Sequence, residues 1–360
     1  MMGMRMMTDL DKHITDACHR IEELYHETNG KCYISFSGGK DSTVLLALVK
    51  MCEEIYTIPP NAIPAVFSNT GIELGVTYDF VRWVKENYYS NVQIIHPVKP
   101  FGWVMEHEGK PLKSKMKSKD LHQYHCGKRS ELLLLLLLLG KCGTGKMSAK
   151  HKIADRDMHM MHDDFPIIPS QKCCDWMKKK PFEKYSKENG MLGNIQGVRL
   201  AEGGARESAA NVRLRSGGKL CTWIKGGIIQ KAPIIDWSED NVNEFIEKYH
   251  VPLSEAYTKY GFKRTGCMAC PYAREVDKDL EYLYYHEPNR YKASMHWLKD
   301  VYIAQDVKLP FDEAYERERE REWQLRYEPM RQEMLRKYRP NSRLIKDGDQ
   351  MTIFDCMDED

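Results

Sequence analysis

The sequence predicts an α/β protein with a doubly wound, mostly parallel sheet. Three short runs of apolar and β-branched residues predict strands, at 32–36, 62–68 and 92–96. Apolar residues at helical spacing predict helices before the first strand and after the first two, at 8–29, 44–51 and 76–86. Strands that alternate with helices are typical of parallel sheets, which bind ligands at the carboxyl ends of their strands. We therefore expect a functional site in the loops that follow these strands.

The rest of the chain predicts an insertion and a helical C-terminal extension. From 101 to 170 the regular pattern is lost. It then resumes, with helices predicted at 174–189 and 239–249. Strands are predicted at 194–200 and 232–237. After 270 the chain is highly charged, with helical patterns at 274–305 and 311–338. We therefore predict a sheet domain at 1–270 that contains the insertion 101–170, followed by a charged helical region at 271–360.

Composition excludes several classes of protein. The 360 residues are 42% hydrophobic and 29% charged, which is typical of a folded globular chain and not of a disordered one. The 54 basic and 52 acidic residues give a net charge of only +2, so the overall charge does not favour nucleic acid or an anionic membrane. The leucine run 132–139 is far shorter than the roughly 20 residues that cross a membrane. We expect a cytoplasmic protein that does not bind membranes.

The segment after the first predicted strand has the features of a phosphate-binding loop. It consists of Ser37, Gly38, Gly39, Lys40, Asp41 and Ser42. The glycines permit a sharp turn, and the amides and positive dipole end of the following helix favour an anion. Lys40 adds a cation, and Ser37 and Ser42 add hydroxyl groups. Asp41 is unusual beside a phosphate, and it fits there as a ligand of a magnesium ion or as a helix cap.

A second glycine-rich segment resembles a Walker loop only in part. Residues 140–146 fit the pattern G-x-x-x-x-G-K, but Met147 stands where that loop needs a serine or threonine. The residues that follow do not form an amphipathic pattern. We interpret this segment as a flexible glycine turn.

Four of the eleven cysteines form a pattern. Cys173 and Cys174 are adjacent, and Cys267 and Cys270 form a C-x-x-C. Four thiolates from two distant segments could hold zinc or an iron–sulfur cluster, and the spacing alone does not decide between them. A set of buried structural cysteines with a chance C-x-x-C is the third interpretation.

Two of these motifs together resemble one known family. The loop at 37–42 is similar to the PP-loop S-G-G-x-D-S of the adenine nucleotide α-hydrolases. The cysteine pair followed by C-x-x-C resembles the 4Fe–4S ligands of assimilatory adenylyl-sulfate reductases, which carry the same loop. The combination resembles the phosphoadenylyl-sulfate reductase-like family. The resemblance implies an adenine nucleotide α-hydrolase-like fold, binding of ATP or an adenylylated sulfur nucleotide, and a 4Fe–4S cluster on Cys173, Cys174, Cys267 and Cys270.

The resemblance also assigns further residues. The segment 197–208 is similar to the family's G-x-R-x-x-E-S-x-x-R, in which Arg199 and Arg206 would meet phosphate or sulfate. Thr70 and Gly71 match a turn that borders the nucleotide in the family. The implied catalytic residues are Lys40, Asp41 and Arg199. Residues 233–242 match a strand and helix start, which we interpret as a fold marker.

Three functions remain open at the level of sequence. The first is an enzyme of sulfur transfer that cleaves ATP at the α-phosphate. The second is an adenylyl-sulfate or phosphoadenylyl-sulfate reductase with a divergent tail, because Cys356 lacks the surrounding E-C-G-x-H of such reductases. The third is a non-catalytic sensor of nucleotide and cluster. The acceptor (with a nucleic acid among the candidates), the thiol or electron donor and any homo-oligomer stay undetermined.

Overall fold

A six-stranded sheet organises the first part of the molecule. The computed structural model describes residues 8–56, 58–143, 145–202 and 204–339, without the side chains of 204–208. The strands are β1 (Cys32–Ser35), β2 (Ala65–Ser68), β3 (Val92–Ile95), β4 (Gly193–Gln196), β5 (Thr222–Lys225) and β6 (Ile228–Lys231). Their order is β3-β2-β1-β4-β6-β5, and each neighbouring pair is parallel except the hairpin β5–β6. The predicted α/β class with a mostly parallel sheet is confirmed.

Helices make up most of the remaining structure. They are α1 (Asp9–Glu27), α2 (Lys40–Ile55), α3 (Gly75–Asn87), α4 (Phe101–His107), α5 (Lys115–His125), α6 (Glu131–Leu139), α7 (Lys172–Cys174), α8 (Lys180–Glu188), α9 (Gly204–Arg215), α10 (Glu239–Tyr249), α11 (Glu255–Thr258), α12 (Val276–His286), α13 (Pro288–Ala304), α14 (Glu313–Glu322) and α15 (Glu328–Tyr338). Short 3₁₀ segments lie at Asp155–Met161 and Leu200–Glu202, and π-helical segments at Asp175–Lys179 and Trp323–Tyr327. Over the described residues, no helix is long and apolar enough to cross a membrane.

The strand order creates a switch point at β1. The chain builds outward from β1 to β2 and β3 on one side, and β4 then pairs with the other side of β1. Cys32 lies opposite Gly193 and Ser35 opposite Gln196, so β1 and β4 end level with each other. Ligands of open parallel sheets bind in the crevice outside the carboxyl ends of the strands at such a switch point.

Helix α2 is held firmly behind this crevice. Its residues Val44, Leu45, Leu46, Leu48 and Val49 have no exposed surface. The helix contacts α1 and α10, and it belongs to the same apolar core as the sheet. Apolar side chains on nearly every side of a helix are expected where it is enclosed by neighbouring elements. The N-terminus of α2 therefore has a fixed position relative to the sheet.

The chain divides into two compact units. The first contains the chain up to Val98 together with Met177–Cys267, and the second contains Lys99–Trp176 together with the chain from Met268 onward. The whole sheet lies in the first unit. The domain bounds at 1–270 and 271–360 stay a prediction.

The second unit is helical and has its own core. The Met- and His-rich segment Asp155–Met161 packs against α15, with Met158, Met160 and Met161 fully buried. His159 is also fully buried, and this burial lowers the pKa of its imidazole to about 4, although its bond to the carbonyl of Ala304 acts in the opposite direction. The imidazole is therefore neutral at physiological pH. Helix α6 ends at Leu139, and its C-cap residue Gly140 has φ +73°, in the left-handed region that favours glycine.

One predicted strand is wrong. Residues 233–236 form turns, none of 232–237 is in a strand, and β6 ends just before them, at Lys231. Ala232, Ile234, Ile235 and Trp237 are buried, so their apolar pattern reflects packing in the core and not strand pairing. Pro233 also lacks the N–H group that a central strand would use.

Candidate functional site

The glycine loop makes a tight turn between β1 and α2. Gly38 has φ +69°, in the left-handed region that favours glycine. The hydroxyl of Ser42 donates to the carbonyl of Gly39 at 2.8 Å and accepts from the amide of Ser37 at 3.2 Å. Gly39 is the N-cap residue of α2, and no side chain caps that helix. The loop therefore presents a helix N-terminus, which favours an anion.

Two glycines allow neighbouring segments to approach this loop closely. A Cβ atom on Gly39 would lie 3.0 Å from the hydroxyl of Thr265, and one on Gly197 would lie 3.0 Å from the carbonyl oxygen of Asp41. The loop after β4 and the segment near Thr265 thus both close on the glycine turn. The hydroxyl of Tyr257 joins them, because it accepts from the amide of Lys40 at 3.1 Å and lies 3.1 Å from the Thr265 hydroxyl.

A cavity of about 510 Å³ opens beside the glycine loop, entirely within the first unit. It lies where β1 and β4 end, at the switch point of the sheet. Its walls are formed by Ser35, Ser37, Gly39, Lys40, Asp41, Ser42, Gln196, Gly197, Val198, Arg199, Ala201, Glu202, Glu239, Tyr257, Lys263, Arg264 and Thr265. The walls are mostly polar and include several cations, as a pocket for a charged ligand requires.

A network of ion pairs connects the charged residues of the cavity. The Nε atom of Arg199 donates to Asp41 at 2.8 Å, and its Nη2 atom donates to Glu239 at 2.6 Å. The other carboxylate oxygen of Glu239 accepts from Lys40. Arg199 is only 3% exposed, so Asp41 and Glu239 fix its guanidinium group in place. The orientation of Arg199 gives Asp41 a positioning role that needs no metal.

The electrostatics of Glu239 reflect this network. Partial burial acts to raise the pKa of its carboxyl, but the hydrogen bonds from Lys40 and Arg199 outweigh it and hold that pKa below its usual value. Glu239 therefore remains ionised throughout the physiological range. Sequence reasoning treated the segment around Glu239 as a fold marker. It missed this residue and Tyr257, since both reach the loop only through the fold.

The other predicted nucleotide-binding residues are Thr70, Gly71 and Arg206. Thr70 and Gly71 follow β2 and are not among the residues that line the cavity. Thr70 donates through its amide and hydroxyl to Glu73, and the backbone of Glu73 pairs with Cys267. The turn at Thr70 is thus built against the cysteine segment. Arg206 lies in α9, and its side chain is outside the described part of the structure.

Three of the four predicted cluster cysteines are near enough to the half-buried Tyr272, in the second unit, for their charge to affect its phenol. Burial raises the pKa of the Tyr272 phenol far above its usual range, and thiolate charge at Cys174, Cys270 and Cys173 would raise it further. The Tyr272 hydroxyl, 3.0 Å from Ser118, donates to the carbonyl of Ser170 at 2.9 Å. These two contacts fix the position of the Tyr272 hydroxyl.

The fourth cysteine belongs to the chain that lines the cavity. Cys267 comes two residues after Thr265, at the end of the first unit, and the chain then turns through Met268 and Ala269. Ala269 has φ +46°, which a tight turn between Cys267 and Cys270 requires. Across the described residues, no three His, Cys, Asp or Glu side chains are grouped so that they could hold a single metal ion. A four-iron cluster differs from such a site, because each of its thiolate ligands binds a separate iron.

Changing Gly38 to alanine should distort the phosphate loop. A Cβ atom there would lie 2.9 Å from Val81 Cγ2 and 3.2 Å from Thr77 Cγ2, in addition to the strain of the positive φ. Gly71→Ala is the matched control, because Gly71 has φ +77° but open space around it. We expect the control to lose about 1 kcal/mol of unfolding free energy, and Gly38→Ala to lose a further 1–3 kcal/mol, roughly, in urea denaturation. Equal losses would contradict the close packing of the loop.

A search of solved structures finds several weakly similar chains. A crystal structure of phosphoadenylyl-sulfate reductase from Candida auris is 16% identical, with a TM-score of 0.40, over 74% of this chain and 98% of that one. A Candida glabrata FMN adenylyltransferase in complex with FMN and an ATP analogue is 15% identical, with a TM-score of 0.41, over 72% of this chain and 63% of that one. The U34-tRNA thiolase NcsA from Methanococcus maripaludis, with its [4Fe-4S] cluster, is 14% identical, with a TM-score of 0.37, over 83% of this chain and 81% of that one. A search of curated proteins finds no match.

The sequence also matches a family model over most of its length. The matched residues are 31–130 and 143–273, which include the glycine loop, Arg199 and all four cysteines of the pattern. The six-stranded, mostly parallel sheet with its flanking helices is the α/β class that the sequence predicts. The chain belongs to the family of the phosphoadenosine phosphosulfate reductase domain.

Proposed function

We propose that this protein is a sulfur-transfer enzyme that binds ATP, or an adenylylated sulfur nucleotide, in the cavity beside the glycine loop and acts at its α-phosphate. Membership of the family supports a nucleotide-dependent function of the sulfur-transfer type. The observation that carries the finer proposal is the arrangement of Lys40 and Arg199 around the N-terminus of α2. This arrangement provides two cations and a helix dipole at one place, which suits a polyphosphate.

The residues divide into groups with different tasks. Arg199 would bind phosphate oxygens with its planar guanidinium group, which Asp41 orients. Lys40 would offset charge on the pyrophosphate that leaves when an acceptor atom attacks the α-phosphorus and the bond to the β-phosphate oxygen breaks. Ser37 and Ser42 shape the loop through their mutual contact at 3.0 Å. Lys263 and Arg264, at the same cavity, add positive charge for an anionic substrate.

A 4Fe–4S cluster is part of the proposal. Cys173, Cys174, Cys267 and Cys270 supply four thiol side chains, the ligand type of such a cluster, and all four lie in the part of the chain that matches the family model. When bound, such a cluster supplies one-electron redox chemistry. A magnesium ion bound with the nucleotide is a further option, and no step above depends on it.

The iron content tests the cysteine assignment. Anaerobically purified protein should contain about four iron and four sulfide per chain. Cys270→Ser should lose most of this iron, because a serine hydroxyl is a poor substitute for a thiolate. Cys221→Ser is the matched control, since Cys221 is also partly exposed but lies outside the pattern. Equal iron in both variants, or none in the wild type, would contradict the proposed cluster.

Product analysis tests the reaction. Pyrophosphate release from ATP supports adenylation, whereas thiol-dependent sulfite release from adenylyl sulfate supports the alternative, a reductase with a divergent tail. If the protein is such a reductase, Cys356→Ser should abolish sulfite release. Cys356 itself lies outside the described residues. The formation of neither product would leave the non-catalytic sensor.

A further inference from the structure

Glu239 already bonds to both cations that the proposed function assigns to the nucleotide. One of its carboxylate oxygens accepts from Lys40, and the other accepts from Arg199 at 2.6 Å. Two oxygens of one anionic group thus span two cations at the N-terminus of α2. A phosphate group that bonded to the same cations would use the same donors.

We propose that Glu239 is an internal competing anion, which a nucleotide phosphate displaces from Lys40 and Arg199 when it binds. The inference rests on the proposed nucleotide site and adds a form of regulation to it. The affinity for nucleotide is then set partly by the strength of the Glu239 contacts. Glu239 acts through Lys40 and Arg199 and is therefore a positioning residue.

The structure identifies Glu239 as the partner that moves. Its side chain is 54% exposed, whereas the side chains of Lys40, Asp41 and Arg199 are 18%, 21% and 4% exposed. An exposed carboxylate can rotate into water at little cost, but a buried guanidinium cannot. Glu239 is also the first residue of α10, so its rotation leaves the helix backbone in place.

The two cations keep other partners when Glu239 leaves. Arg199 remains bonded through Nε to Asp41 at 2.8 Å. Its Nη1 atom is buried and has no hydrogen-bond partner within the described structure. The guanidinium group is therefore held in position by Asp41 while its Nη2 atom, which Glu239 releases, becomes available for an incoming phosphate. Lys40 retains a contact with Asn243 at 3.4 Å.

Local capping makes Glu239→Gln a suitable test. The cap of α10 is formed by Ser238 and Asn241, which bond to each other and not to Glu239. Glutamine preserves the size of the side chain and removes its charge. Asp240→Asn is the matched control, since Asp240 is exposed in the same helical turn and does not line the cavity.

The experiment measures the binding of ATP, pyrophosphate and adenosine to the full-length chain by calorimetry. Glu239→Gln should lower the dissociation constants of ATP and pyrophosphate between about 5-fold and 150-fold, the usual range for coupled binding. Adenosine has no phosphate, so its dissociation constant should change less than about twofold. Asp240→Asn should have only a small effect, because an exposed charge outside the cavity is screened by salt.

The possible results distinguish a failure of the competing-anion role of Glu239 from a failure of the proposed function. Unchanged or weaker binding of pyrophosphate by Glu239→Gln, with normal binding by the wild type, would overturn the competing-anion role alone. An equal gain in Asp240→Asn would reduce the effect to general electrostatics and overturn it as well. If no variant binds ATP or pyrophosphate, the proposed function fails. Should Glu239→Gln not fold, Glu239→Asp tests the same point, because its shorter side chain cannot span both cations and should also strengthen pyrophosphate binding.

Discussion

Replacing Arg199 by methionine should reduce pyrophosphate release from ATP by about 100-fold to 1,000-fold, the effect of removing one preorganised donor to a developing charge. Arg199 is almost completely buried and is oriented by two carboxylates, so its charge acts at a fixed point of the cavity. Methionine fills similar volume without that charge. It also leaves Asp41 and Glu239 without the cation between them, which would repel the phosphates further.

Arg264→Met provides the control for this prediction. Arg264 lines the same cavity, but its side chain is 70% exposed, and it pairs with Glu202 at 2.6 Å. An exposed arginine is screened by solvent, and its loss should reduce the rate less than about 10-fold. Equal losses in the two variants would show that the cavity needs only net positive charge. That result would contradict the specific role of Arg199.

Replacing Trp237 by alanine should lower the free energy of unfolding by about 3–5 kcal/mol, as for other large aromatic residues of a core. Trp237 is 1% exposed, and its ring packs against Phe245 at 5.4 Å between centroids. Alanine would leave a cavity beneath α10, the helix that carries Glu239 at its start. The loss should therefore appear in urea denaturation of the whole first unit.

Two further variants check that packing is the cause. Trp83→Ala should cost less than about 1 kcal/mol, because Trp83 is 45% exposed and its removal leaves no closed cavity. Trp237→Phe should cost only about 1–2 kcal/mol, since the ring contact remains. It also removes an indole N–H that is buried and has no hydrogen-bond partner among the described residues. A loss for Trp83→Ala as large as that for Trp237→Ala would contradict core packing as the cause.

Local sequence was sufficient for the parts of the fold that depend on neighbouring residues. The loop at 37–42 could be recognised because its glycines, its lysine and the apolar helix that follows are adjacent in sequence. Helix α10 was predicted with its observed bounds, 239–249, because its apolar residues have a helical period, and in the structure Ser238 caps it. The parallel sheet followed from the alternation of these elements.

Long-range contacts account for what the sequence did not reveal. Glu239 and Lys40 are 199 residues apart, and Tyr257 and Lys40 are 217 apart, so no local pattern joins them. The segment 232–237 was predicted as a strand because burial in a turn and burial in a strand give similar apolar runs. Thr70 and Gly71 were predicted at the nucleotide by resemblance, but their turn is built through Glu73 against Cys267.

We expect the cavity beside the glycine loop to bind an adenine nucleotide through Lys40 and Arg199. Titration of the anaerobically purified chain with ATP, followed by calorimetry, tests it most directly. We expect one ATP per chain, competition by pyrophosphate, and loss of both in a variant with Lys40→Met and Arg199→Met. Unchanged ATP binding in this double variant, or ATP binding that pyrophosphate does not displace, would contradict it.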